Sequence, residues 1–222
     1  MRIQLLLISV LFPIVSIFSN NSIGKTFGKI SYEKAINLSG KQRMLSQKIA
    51  KVKVLKFAGA SSVELKNELT SSMTLFERNL KILDINASNQ SAKVKAMIRQ
   101  ERSEWDRFKN TLNKPNVPVF DVLDGAEALL TKCHQLVVAI EEESKFNKQL
   151  EASSKMDQLR VETVNTAGKQ RMLTQKMCLY YASCRAFKKG KNADIACNEY
   201  KNIYNQMDNV CLLYTSPSPR DA

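Results

Sequence analysis

The sequence predicts an all-α protein: an antiparallel four-helix bundle followed by half of a second bundle, the two joined by a long continuous helix. Three observations support this prediction. Helix-favouring residues are plentiful, and the 222 residues include only seven Gly and five Pro. Apolar residues recur at helical spacing in each long segment. A twelve-residue block also occurs twice, which indicates two copies of one helical unit.

The repeated block reads NLSGKQRMLSQK at residues 37–48 and NTAGKQRMLTQK at residues 165–176, an offset of 128 residues. Nine of the twelve positions are identical. The offset predicts a first unit over residues 26–146 and a second, incomplete unit over residues 147–210.

The two chain ends are predicted to lie outside these units. A positive start, an apolar run and small residues near Ser19 are typical of an export signal, so residues 1–19 are predicted to be a signal peptide. The alternative is an N-terminal membrane anchor. The protein is accordingly expected to be periplasmic or secreted, or membrane-anchored if this segment is retained. Residues 211–222, CLLYTSPSPRDA, resemble a translated sequencing adapter and are predicted to be an adapter-derived tail.

The helices of the first unit follow from apolar spacing between chain breakers. They are predicted over residues 26–58, from Ser62 to residue 85, over residues 92–112, and from residue 119 after two prolines. The predicted core residues share helical spacing within these segments: Leu38, Leu45, Ile49, Val52, Leu65, Leu69, Met73, Phe76, Leu80, Leu83, Val94, Met97, Ile98, Trp105, Phe108, Leu129, Leu130, Leu136, Val137 and Ile140.

The fourth helix is predicted to continue into the second unit, bent around residues 147–154, because no strong breaker follows until Gly190. A turn over residues 188–192 then precedes a last helix. Cys184 and Cys197 lie symmetrically about this turn, so an antiparallel helix pair brings them opposite one another. A disulfide and a pair of free buried thiols both remain open.

Composition and motifs exclude several functions. The net charge is +13, but the Lys residues are spread evenly without interleaved aromatic residues, so no nucleic-acid partner is expected. The cysteine spacing does not fit a zinc site, and no metal or cofactor is expected. The only histidine, His134, is predicted on a helix surface. No acid–base pair, nucleophile–base set or phosphate loop is recognisable, so the protein is not expected to be an enzyme.

The repeated block predicts a helix with two contact faces. When Leu45 points to the core, Arg43 and Gln47 lie on the opposite stripe with Gly40 beside them. That stripe also carries apolar and small residues, which a solvated face seldom does: Ile36, Ala50, Val54 and Phe57.

Arg43 is therefore predicted in a helix–helix seam, and no acidic residue lies three or four positions away. A buried guanidinium needs a counter-charge, and its planar fork suits a small oxyanion. Two chains paired about a two-fold axis would place two Arg43 side chains around one anion. The alternatives are that Arg43 reaches solvent from an ordinary bundle helix, or that the block is only a packing motif.

The segments INLSGKQRMLSQKIAK and VNTAGKQRMLTQKMCLYYA resemble the signature of the PilJ-type sensor domain of type IV pilus chemotaxis transducers. They are also similar to the P-box of NarX-type nitrate/nitrite sensor kinases. The resemblance implies an extracytoplasmic, usually dimeric four-helix bundle with nitrate or nitrite held by the P-box Arg. Arg43 and Arg171 match that Arg, and Gly40 and Gly168 match the family glycine.

The leading hypothesis is thus an exported sensory module for a small anion such as nitrate or nitrite. Its expected partners are a second copy of the chain and a signalling partner or C-terminal output domain. The alternatives are a helical interaction or scaffold protein without a ligand, and a surface binder of acidic polymers. The predicted ligand-binding residues are Gly40, Arg43, Gln47, Gly168, Arg171 and Gln175.

Overall fold

The computed structural model describes residues 26–149, 155–187 and 190–215, and it confirms the all-α prediction. Within these ranges lie α1 (Tyr32–Phe57), α2 (Val63–Asn86), α3 (Ala92–Asn113), α4 (Val119–Gln149), α5 (Lys155–Ala186) and α6 (Lys191–Thr215). The predicted signal peptide, residues 1–19, lies outside the described residues, as do residues 216–222 of the predicted tail, whereas residues 211–215 belong to α6. Among the described residues, no helix is both long and apolar enough to cross a membrane.

Helices α1 to α4 form the predicted bundle around an aromatic centre. Trp105 of α3 is buried, stacks on Phe76 of α2 with ring centroids 4.3 Å apart, and lies 6.4 Å from Phe108. Aromatic pairs of this kind stabilise the fold by more than the burial of their apolar surface alone. Most of the predicted core residues are buried, but Leu65, Leu69, Met73 and Met97 are only partly so, because α2 packs mainly on α1 and only lightly on α3.

Serine caps set the starts of the first three helices. The Oγ atoms of Ser31, Ser62 and Ser91 each accept a hydrogen bond from the backbone N–H three residues on. The first helix therefore begins at Tyr32, and its predicted start at residue 26 is wrong. The preceding residues instead make a tight β-bridge between Phe27 and Ile30, with Phe27 fully buried.

The prediction that the fourth helix continues into the next is also wrong. Tyr32 Oη at the start of α1 lies 3.4 Å from Glu143 Oε1 near the end of α4, so these helices are antiparallel. Phe120 at the start of α4 stacks on Phe187 just after α5, so α4 and α5 are antiparallel as well. Helix α5 consequently runs parallel to α1 and packs more extensively on it than on any other helix. Folding back buries apolar surface of α5 that a continuous helix would leave in water.

Helix α6 packs antiparallel on α5. A disulfide joins Cys184 and Cys197, whose Cα atoms are 4.9 Å apart. Of the described cysteines outside this pair, Cys133 is buried and Cys178 is exposed. A small second apolar cluster, which includes Leu173 and Ile203, lies between these helices and α4.

Among the described residues, Glu101 is a carboxyl group with no exposed surface, and it predicts a pH dependence of stability. Glu101 of α3 is fully buried, accepts a hydrogen bond from Cys133 Sγ at 3.3 Å, and has no partner for Oε2 among the described residues. Burial raises the pKa of Glu101 to about 8. The folded chain therefore keeps this proton where the unfolded chain has released it, and stability is lost as the pH rises through this window.

We expect the free energy of unfolding to fall by about 1 kcal/mol between pH 6 and pH 7 because of this single group. Urea unfolding of the wild type and of Glu101→Gln at both pH values measures the difference. The Gln variant should show a flatter pH profile, because its amide does not titrate. Equal slopes for the two proteins would show that Glu101 is ionised in the fold.

Candidate functional site

The two copies of the repeated block meet within one chain. We call their contact the α1–α5 seam and define it by six residues, three from each copy: Asn37, Gly40, Arg43, Asn165, Gly168 and Arg171. At its centre the glycines allow a close approach, because a Cβ atom at position 168 would lie 3.8 Å from Gly40 Cα and 3.2 Å from Arg43 Nη2. The outer stripe of α1 thus has its predicted neighbour, and that neighbour is α5 of the same chain.

The hydrogen bonds across the seam are reciprocal. Arg43 Nη2 donates to Asn165 Oδ1 at 2.6 Å and to the Asn165 carbonyl at 3.3 Å. Arg171 Nη2 donates to Asn37 Oδ1 at 3.3 Å. Each residue of these pairs has its counterpart 128 positions away in the other pair. The two copies are therefore related by an approximate two-fold axis running along the parallel helices.

The Arg43 side chain is almost completely buried, with 2% of its surface exposed. Its Nη1 lies 3.4 Å from His134 Nδ1 of α4, whereas Nε has no partner among the described residues. The pKa of Arg43 is lowered mainly by burial and further by Arg171, while Glu141 and Cys133 oppose this change. The expectation of an unpaired guanidinium needs correction, because two of its nitrogens have protein partners and α4 supplies a nearby carboxylate.

Helix α4 provides the titratable groups that face Arg43. Burial raises the pKa of Glu141, against the effects of Lys145, Arg43 and a hydrogen bond with Asn165. Burial and the positive charges of Arg43 and Lys169 lower the pKa of His134. His134 is exposed, as predicted for a surface residue, yet its ring also reaches Arg43. An uncharged His134 can accept a hydrogen bond from the guanidinium.

The two arginines differ in their surroundings. Arg43 is covered by α4, but Arg171 is exposed, since no described helix lies over it in the same way. The copies therefore share the Arg–Asn hydrogen bond across the seam but differ in the burial of the arginine. This difference comes from tertiary packing and cannot be read from two nearly identical blocks.

The predicted glutamines are less closely tied to the seam. Gln47 is fully buried, and its Nε2 donates to the Ala126 carbonyl of α4 at 3.2 Å. Gln175 is half-buried. The Oε1 atoms of both glutamines lack hydrogen-bond partners among the described residues. The structure thus brings Gly40, Arg43, Gly168 and Arg171 together, while it directs the Gln47 amide nitrogen towards α4.

The other stripe residues mostly behave as predicted. Ile36, Ala50 and Val54 are at most 1% exposed. Phe57 is 59% exposed and does not belong to the contact, because α1 ends there. Sequence reasoning missed Asn37 and Asn165 as site residues, although both open the repeated block and are identical in the two copies. The contributions of Glu141 and His134 have no local sequence signal.

Three cavities among the described residues lie outside the seam, and Arg43 lines none of them. The described ranges also contain no cluster of three or more His, Cys, Asp or Glu side chains arranged to hold a metal ion.

Residues 31–121 match the model of the PilJ family, described as the N-terminal part of the type IV pili methyl-accepting chemotaxis transducer. The match spans 91 residues, about two fifths of the chain. The recognition made from the repeated block is thereby confirmed for the first unit. The family is a sensory, non-enzymatic one. No curated protein and no solved structure matches the chain.

Proposed function

We propose that the chain is an extracytoplasmic sensory module whose α1–α5 seam binds a small oxyanion, with nitrate and nitrite as the first ligands to test. The observation that carries this proposal is the presence of two arginines at one helix–helix seam: Arg43 Nη2 lies beside both glycines, and Arg171 Nη2 donates to Asn37 of the facing helix. The positive charge of Arg171 contributes to the lowered pKa of Arg43, which indicates that the two cations repel one another. An anion between them removes this repulsion.

The ligand chemistry follows from the donors at the seam. A guanidinium offers paired N–H donors in one plane, and a planar oxyanion accepts them in a bidentate manner. Asn165 now accepts from Arg43 Nη2, so an anion must replace that hydrogen bond or share it. Ligand binding then changes the contacts between α1 and α5 directly. A change at this crossing can shift the two parallel helices relative to one another, which is how occupancy becomes a signal.

In this proposal the anion site does not need the homodimer predicted from the sequence. The seam expected between two chains has both of its arginines in one chain here, so a single chain can hold the anion. Binding by a monomer would agree with the proposal. The periplasmic location, the leader over residues 1–19 and an output partner remain predictions that accompany it.

One observation favours a second function, that of a helical interaction module without a small ligand. Arg43 already donates hydrogen bonds to Asn165 and lies near Glu141, so the seam can be stable without a bound anion. In that case the repeated block holds α1 and α5 together and does nothing else.

Titration calorimetry separates the two functions. We expect saturable heat with nitrate or nitrite for the wild type and its loss in Arg171→Ala, which alters an exposed side chain and should fold normally. Arg43→Lys keeps the charge but loses the fork, and it should bind at least about tenfold more weakly. Chloride and acetate serve as comparison anions. Absence of heat with all four anions in the folded wild type would refute the sensor proposal and favour the interaction module.

A further inference from the structure

The second flank of the α1–α5 pair forms an open groove. Its volume is about 670 Å³, and we define it by six lining residues from α1, its C-cap, α5 and α6: Leu55, Ala58, Met177, Tyr181, Ala182 and Tyr200. The rim carries Lys51 and Arg185. Tyr181 is 54% exposed, a large apolar surface for a helix that otherwise packs well.

The approximate two-fold axis shows what kind of element fits this groove. Shifting Tyr181, Ala182 and Arg185 by 128 positions gives Lys53, Val54 and Phe57 of α1. Those three residues line a crevice together with Val119 and Val122 at the start of α4. The open groove is therefore the counterpart of the flank that α4 occupies.

Charge identifies the occupant further. Helix α4 presents carboxylates to the basic residues of its flank: Glu127 lies 3.0 Å from Lys176 Nζ, and Glu141 lowers the cost of burying Arg43. The counterparts of Lys176 and Arg43 on the open flank are Lys48 and Arg171. Arg171 is exposed, and Lys48 is within reach of Glu68 at 3.5 Å. The open flank thus combines an apolar floor with the exposed Arg171 and with Lys48, whose carboxylate partner Glu68 belongs to α2.

We propose that this groove docks an acidic amphipathic helix of a partner protein, of the same character as α4. Its apolar stripe covers Tyr181 and Ala182, and its carboxylates pair with Arg171 and, together with Glu68, with Lys48. In α4 the two carboxylates that face the seam are Glu127 and Glu141, fourteen positions or about four helical turns apart. Helix-in-groove recognition of this kind needs only an exposed apolar groove and a matching charge pattern. The proposal does not depend on anion binding.

The chain itself supplies a probe. A fluorescent peptide of residues 119–149, with Ser in place of Cys133, carries the required apolar stripe and both carboxylates. Its binding to the full chain is measured by fluorescence anisotropy. We expect saturable binding that weakens about tenfold in Tyr181→Glu or Arg171→Glu, and that also weakens when the peptide carries Glu141→Arg. Restored binding between Arg171→Glu and the Glu141→Arg peptide would identify the pair directly. Circular dichroism checks that each variant is folded.

Three outcomes overturn the proposal. The first is that the peptide does not bind the wild-type chain at any concentration at which it remains soluble. The second is that it binds wild type, Tyr181→Glu and Arg171→Glu with equal affinity, as exchange with the resident α4 would produce. The third is that sedimentation shows a dimer that Tyr181→Glu dissociates, which would mean that a second copy of the chain already covers the groove.

Discussion

Gly168→Leu is expected to release α5 from α1 while the α1–α4 bundle stays folded. A Cβ at this position already lies 3.2 Å from Arg43 Nη2 and 3.8 Å from Gly40 Cα, and the further atoms of leucine have no room in the crossing. Overpacking alone costs roughly 1–3 kcal/mol, and loss of the seam adds the burial of the whole α5 face. Hydrogen exchange followed by mass spectrometry should show lost amide protection in α5 and retained protection in α3.

Lys169→Leu is the matched control, because it adds the same side chain at the adjacent, exposed position. It should leave the protection of α5 unchanged. If Gly168→Leu also left α5 fully protected, the two motif helices could not be in contact at this glycine.

Arg43→Ala is expected to lower the free energy of unfolding by about 2–4 kcal/mol, whereas Arg171→Ala should change it by less than about 0.5 kcal/mol. The first change empties a buried volume and leaves Asn165 without its donor; the second removes an exposed side chain. Urea unfolding followed by far-UV circular dichroism measures both. Arg43→Met fills more of the volume without a buried charge and should cost less than Arg43→Ala.

This comparison tests whether tertiary packing makes the two copies different. Equal losses in Arg43→Ala and Arg171→Ala would mean that α4 does not protect one arginine more than the other. Anion binding can be measured on the same two variants. The sensor proposal requires both arginines for binding, although only Arg43 is expected to be needed for stability.

Most of the helices can be predicted from the sequence, because neighbouring residues determine where they begin and end. Ser62 caps the second helix through its own neighbours, and the apolar periodicity of α3 and α4 points to one core. The sequence also indicates the importance of the repeated block, since two copies share nine of twelve positions. The buried outer stripe of α1 follows from the alternation of faces around Leu45.

What the sequence does not indicate is the path of the chain between the two copies. The residues around 147–154 contain no strong breaker, so local propensity favours one long helix there. The reversal is stabilised by contacts distant in sequence, including the stacking of Phe120 on Phe187 and the bonds of Arg43 to Asn165. For the same reason Glu141 could not be assigned to Arg43 from spacing within one helix.

Resonance energy transfer tests the central feature of the fold, the parallel packing of α5 on α1, most directly. Cys178 is a free, exposed thiol, and Phe57→Cys places a second one at the exposed end of α1. With a donor and an acceptor dye on these two positions, we expect highly efficient transfer, since Cys178 lines the same groove as Leu55 and Ala58. An α5 that continued α4 as one helix would separate the dyes by on the order of 80–90 Å, and transfer close to zero would contradict the seam on which the proposed anion site rests.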